Sequence, residues 1–274
     1  MNKKRRKTVG LALGSGGAKG YAHLGVLKVF EENNIPIDYL SGSSAGSIVA
    51  TLYSLYGNTS KVEEILTDFN GIRSLIDFSF KGGIVKGKKI TDFFENIFEG
   101  KKLQDLKIPV CVVATDYETG AAVEIKRGDI ALAVRSSIAV PFVFELVKYR
   151  GKELADGGLS SPVPINSLKK MGADITIGVR VEDRMGKSER RNFYSMAERS
   201  LNILQHNLSN SEIEKSDILI DPYFEDYGIL GLHKVVQGKV KEAILEGEKS
   251  AKEQISSIKK LIGAEKEISA IYKL

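Results

Sequence analysis

Apolar positions in this chain follow two rhythms, short unbroken runs and longer stripes at helical spacing, with glycine clusters between them. TVGLAL (8–13) is an unbroken run of strand length that stops at the cluster GSGGAKG (14–20). Beyond it, Ala22, Val26, Leu27, Val29 and Phe30 recur at helical spacing and predict a helix from residue 18 to about 33. IDYLSG is a second short strand and runs into GSSAG (42–46); SIVATLYSLYG then reads as a helix stopped by Gly57. Ser60 and Glu63 have the spacing of a capping box ahead of another helix. Residues 71–90, with Gly71, Gly82, Gly83 and Gly87 among lysines, predict a loop. IPVCVVATDYETG and AAVEIKRG predict two strands around the turn ETG. A helix follows from about Asp129 and ends before Pro141, VFELVKYRGKEL predicts two strands turning at Arg150–Gly151, and ADITIGVRV a further strand after the loop ADGGLSSPVP.

After about residue 187 the texture changes to long polar helices with few glycines. Val236, Val240, Ile244, Ala251, Ile255, Ile258 and Ile262 form a stripe there, read as a helix packing on its own core. Strands alternating with helices argue for an α/β domain with a largely parallel central sheet. The organisation expected is a basic arm (1–7), a catalytic α/β domain (8–186) and a C-terminal helical segment (187–274) packed on the same domain.

Charge changes this picture only at one end. The net charge is +5, and KKRRK (Lys3, Lys4, Arg5, Arg6, Lys7) accounts for all of it: without these, 35 basic residues face 35 acidic ones. A neutral body argues against nucleic acid as a partner. The arm is followed by the glycine cluster rather than by a cleavable signal pattern. The longest nearly apolar stretch, ALAVRSSIAVPFVFELV (131–147), is interrupted by Arg135 and Pro141 and is too short to span a bilayer. A single cysteine, Cys111, sits in an apolar run, where a buried inert thiol is expected, and it excludes an internal disulfide. These features place the chain among soluble, cytoplasmic globular proteins, with the arm a candidate for peripheral contact with anionic membrane.

GSSAG fits G-x-S-x-G with Ser44 at its centre, a pattern that places a serine hydroxyl on a sharp strand-to-helix elbow. The competing interpretation is a glycine-capped turn whose serine merely caps the next helix. The glycine cluster supplies what an acyl-transfer serine needs, bare backbone N–H groups for a developing oxyanion, with Gly16 and Gly17 at the start of a helix. Dinucleotide and P-loop patterns do not fit, because Ser15 occupies an outer glycine position and no G-K-[ST] follows. For the base there are three histidines, His23, His206 and His233, and one loop aspartate, Asp156 in ADGG. His23 reads as a structural residue packed near the glycine loop. His206 and His233 lie in helical polar sequence and keep a Ser–His–Asp triad open as an alternative.

GSGGAKG, GSSAG and DGG in this order, with AHLGVLKVFEE, IPVCVVATDYETG and AVRSSIAVPFVF around them, resemble the patatin-like phospholipases, particularly compact bacterial members. The likeness covers residues 8–182 well and the C-terminal segment loosely. It implies a three-layer α/β/α sandwich and a serine acyl hydrolase with a Ser–Asp dyad and no metal or organic cofactor. Ser44 is then the nucleophile and Asp156 its base, while Gly16, Gly17 and Ala18 supply the oxyanion hole and Lys19 fills the family's basic position. Ser15 stands where many members carry glycine. The substrate implied is a phospholipid, lysophospholipid or other acyl ester. The alternatives are an esterase or thioesterase of soluble esters, or a lipid-binding regulatory module with weak activity.

Overall fold

β1 (Val9–Leu13) is buried along its whole length and has a parallel partner on each side, β2 (Tyr39–Ser43) and β7 (Ile175–Val179). The computed structural model describes residues 6–67, 87–141, 143–182, 193–224 and 239–263. Its sheet has eight strands: β2 continues in parallel to β3 (Val110–Asp116), and β7 to β8 (Ile218–Ile220). β4 (Ala122–Ile125) and β6 (Lys152–Ala155) join β3 antiparallel, and β5 (Val147–Tyr149) pairs with β6. The strand order therefore reverses at β1, with β2 and β3 to one side and β7 and β8 to the other. In open α/β sheets the crevice at the carboxyl ends of strands beside such a switch point is the usual ligand site. Both the glycine loop and the serine elbow emerge there.

The two faces of the sheet differ in side-chain size. Val9, Leu11 and Leu13 of β1 and Ile175, Ile177 and Val179 of β7 point into the larger core, which α1 (Ala22–Glu32) and α2 (Ala45–Tyr56) share. On the opposite face, Gly10 and Ala12 leave room for α6 (Ile165–Met171), whose Ile165 and Leu168 complete a small second core. Helices thus cover both faces, giving a mixed, mostly parallel sheet of the α/β/α kind expected.

The remaining described helices are α3 (Thr59–Thr67), α4 (Lys88–Phe98), α5 (Ile130–Ser137), α7 (Phe193–Ile213) and α8 (Val240–Ile262). α3 starts one residue before Ser60, and Asn58 caps it, its Oδ1 accepting the Lys61 N–H at 3.0 Å; the Ser60–Glu63 box does not form. α4 begins at Lys88, inside the stretch read as a loop, and 71–86 fall outside the described residues. The C-terminal segment is not wholly helical, because β8 extends the sheet. α8 carries the stripe read from the sequence: Ile244, Ala251 and Ile258 are buried in the main core, while Val236 lies outside the described residues. α8 crosses α1 at a glycine pair. A Cβ on Gly25 would stand 2.0 Å from the Ile244 carbonyl oxygen, and one on Gly247 would stand 2.0 Å from that of Ala22.

Candidate active site

The elbow forms because only glycine fits on either side of the serine. A Cβ on Gly42 would lie 2.6 Å from the Gly46 carbonyl oxygen, and one on Gly46 would lie 2.0 Å from that of Leu13. Ser44 itself adopts φ 50, ψ −123, a conformation disfavoured for any residue with a side chain. Hydrogen bonds hold it there. Its N–H donates to Ser137 Oγ at 2.9 Å, and that hydroxyl donates to the Val113 carbonyl at 2.6 Å. Its carbonyl accepts the Ser47 hydroxyl at 2.7 Å and the Ser47 N–H at 2.9 Å.

The elbow aims Ser44 Oγ at Asp156 Oδ2, to which it donates at 2.6 Å across 112 residues of chain. The other carboxylate oxygen accepts the Gly158 N–H at 2.8 Å, which fixes the plane of the group. Gly157 is needed at that turn, because a Cβ would meet the Val113 carbonyl oxygen at 2.2 Å. Asp156 is 2% exposed, and burial pushes its pKa up to about 6 against the hydrogen bonds from Ser44 and Gly158. The carboxyl is therefore charged at neutral pH yet basic enough to take a proton.

The glycine loop lies beside this pair. Gly16 presses so closely on β7's end that a Cβ would stand 2.5 Å from the Val181 carbonyl oxygen. Gly17 (φ 56) then opens a 3-10 turn, Gly17–Tyr21, that leads straight into α1. The leading N–H groups of such a turn have no carbonyl within the helix to meet. Gly16, Gly17, Ser44 and Asp156 share the walls of one pocket of about 40 Å3 with Lys19 and Glu182. Lys19 is 2% exposed. Burial raises the Glu182 pKa to about 7, opposed by the Ser209 hydroxyl bond and by the charges of Arg180 and Lys19.

Neither described histidine has a hydrogen bond to Ser44 or Asp156. His23 is fully buried, meets the Gly14 carbonyl at 2.9 Å, and burial lowers its pKa to about 4, so it braces the glycine loop in its neutral form. His206 on α7 faces Glu182 at 3.5 Å, and His233 lies outside the described residues. Cys111 is buried in β3 and its thiol is pushed up to about 12.

Three contributors went unread in the sequence. Ser137 stood in a quoted motif without a role, Glu182 followed β7 without a signal, and α7 brings Leu201, Asn202 and Gln205 to the pocket wall. The first has a legible trace, the serine pair at the end of α5; the others depend on how remote segments dock.

The family model described as patatin-like phospholipase matches residues 11–169, more than half of the chain, and spans the glycine loop, the elbow and the aspartate loop. The chain belongs to the patatin-like phospholipases. An uncharacterised NTE family protein of Mycobacterium tuberculosis is 36% identical over 177 residues, which is 62% of this chain and 48% of that protein. The human patatin-like phospholipase domain-containing protein 6 is 29% identical over 182 residues, 64% of this chain and 13% of that protein. The lysophospholipase NTE1 of Debaryomyces hansenii is 28% identical over 184 residues, 64% of this chain and 12% of that one. The matched region thus spans half or less of the length of these curated relatives. Among solved structures, VipD of Legionella pneumophila shares the patatin-like fold, with a TM-score of 0.61 at 14% identity over 93% of this chain and 67% of that one. Among the described residues of this patatin-like chain, no helix is long and apolar enough to cross a membrane.

Proposed function

We propose that this chain is a serine hydrolase of lipid carboxylic esters, of the phospholipase A or lysophospholipase type, working through a Ser44–Asp156 dyad. The observation that carries the reading is the direct 2.6 Å hydrogen bond from Ser44 Oγ to a buried carboxylate of raised pKa. Asp156 accepts the hydroxyl proton as Ser44 Oγ bonds to the ester carbonyl carbon. The carbonyl oxygen becomes an oxyanion facing the N–H groups of Gly16, Gly17 and Ala18. Collapse breaks the bond to the alcohol, which leaves with the proton from Asp156. Water then gives Asp156 a proton as it attacks the acyl-Ser44 ester, and the acid departs as Ser44 regains its hydrogen. The lipid as substrate is supported by the family and by the lysophospholipase name of the Debaryomyces relative.

A fluorophosphonate probe with a panel of acyl esters tests this. Wild type should label and turn over lipid esters, and Ser44→Ala should do neither while keeping its circular dichroism and melting temperature. Undiminished hydrolysis by Ser44→Ala ends the assignment. His206→Ala should keep most of the activity, and a variant as inactive as Ser44→Ala would restore the triad.

A further inference from the structure

α7 wears its polarity inside out. Beside the apolar Leu201 and Ile213, the residues it turns toward the protein include Asn202, Gln205, His206, Ser209 and Glu212. Each has work there: Asn202 and Gln205 line the pocket, His206 and Ser209 meet Glu182, and Glu212 accepts the Ser161 hydroxyl and the Val163 N–H. The opposite face presents Met196 (60% exposed), Ile203 (43%), Leu204 (59%) and Leu208 (40%), with the uncharged Ser200, Asn207 and Ser211 exposed among them. Four of the eight large apolar side chains exposed among the described residues thus sit on this one helix, and the spacing 196, 203, 204, 208 keeps them on one stripe. A surface helix ordinarily does the reverse, so this stripe marks an interaction face.

We propose that this stripe docks α7 onto a lipid–water interface, so that acyl substrate passes from the lipid into the pocket lined by the helix's inner face. The inference rests on the lipid-hydrolase reading above. Two observations select a lipid surface over a second copy of the chain. From Leu201 to Ser211 the helix carries no lysine, arginine or carboxylate, as partial immersion below headgroups requires. The sequence entering the helix, RMGKSERR (184–191), has four cations against one anion, the sign that anionic lipid attracts. The same helix carries Leu201, Asn202 and Gln205 on the wall of a pocket of about 40 Å3. Docking this helix on lipid therefore sets the pocket wall beside the surface from which an acyl substrate comes.

The chain contains no tryptophan, which makes Leu204→Trp a unique reporter. In the Ser44→Ala background, where no turnover occurs, its emission should shift to the blue when vesicles of phosphatidylcholine and phosphatidylglycerol are added, and brominated lipid should quench it. The pair Leu204→Asp with Leu208→Asp should lower vesicle co-sedimentation and vesicle hydrolysis at least about tenfold. Its kcat/KM on a short soluble ester should stay at the wild-type value, which also establishes that the variant is folded. Emission that stays red with vesicles, or equal vesicle binding by wild type and the Asp pair, would overturn the proposal. So would emission already blue without lipid, which means that protein covers the stripe, or a wild-type dimer that the Asp pair makes monomeric. Because binding is read without turnover, failure of the hydrolase assignment appears separately, as loss of fluorophosphonate labelling at Ser44.

Discussion

Two residues at the site hold conformations or charges that folding alone disfavours. Asp156 has a raised pKa because it is buried, so the folded protein binds its proton more tightly than the unfolded chain does. Its contribution to stability is complete below the unfolded value of 3.8 and is lost as pH rises through about 6. Asp156→Asn should therefore raise stability above pH 7 by up to about 3 kcal/mol, a gain that disappears near pH 4, while nearly abolishing turnover. Denaturant melts at both pH values check the sign. The wild-type kcat/KM should climb as pH rises to about 6 and then level off, because the charged form is the base in the proposed dyad. Ser137 acts on the other partner. Ser137→Ala leaves the buried Ser44 N–H without an acceptor, which should cost about 1–3 kcal/mol and lower kcat with little change in KM, as steady-state kinetics on a soluble ester will read.

At the scale of elements, helix ends followed local chemistry where the competing choices were few. Gly57 ends α2 in the left-handed region (φ 66) and α5 starts beside Asp129, both as read from sequence; the structure adds that Asp129 caps α5 by accepting the Leu132 N–H. α3 differed because Asn58, two residues upstream of Ser60, reached the free N–H groups first. β8 was read as part of a polar helical region, since three apolar residues are too few to show a period; pairing with β7 decides it. The α1–α8 crossing depends on Gly25 and Gly247, where the helix backbones touch. Gly247→Val should cost about 3 kcal/mol or more, since the contact is with backbone and cannot be relieved by a rotamer change. Thermal unfolding of that variant measures it, and an unchanged midpoint would mean that α8 is not held against α1.

Over the whole molecule, the switch in strand order at β1 brings the two glycine motifs to one end of the sheet, and the aspartate loop reaches the same end through β6 beside β3. The described end of the basic arm is tied to the start of β1, the strand end opposite that chemistry. Arg6 is bound to Asp38 by two 2.7 Å bonds, and Asp38 also accepts the Val9 N–H that opens β1; Lys3, Lys4 and Arg5 lie outside the described residues. Removing residues 1–5 should weaken co-sedimentation with anionic vesicles at low salt only, by a factor that shrinks as salt is added, and leave soluble-ester hydrolysis unchanged. Equal binding by both forms at low salt would reduce the arm to a tail. The pairing of GSSAG with DGG as one chemistry was implied by the family resemblance; by itself the sequence determined the strands and helices that carry a clear period, the glycine loop and the elbow. These are local: a period of two or of 3.6, or a turn that only glycine can make, is set by backbone geometry within a few residues. Only the tertiary structure decided that Asp156 meets Ser44 directly, that Ser137 steadies the elbow, and that α7 turns Gln205, Ser209 and Glu212 inward and Leu204 and Leu208 out. Those facts belong to segments tens of residues or more apart in the chain, and the order of strands in the sheet, which no local pattern encodes, is what brings them together.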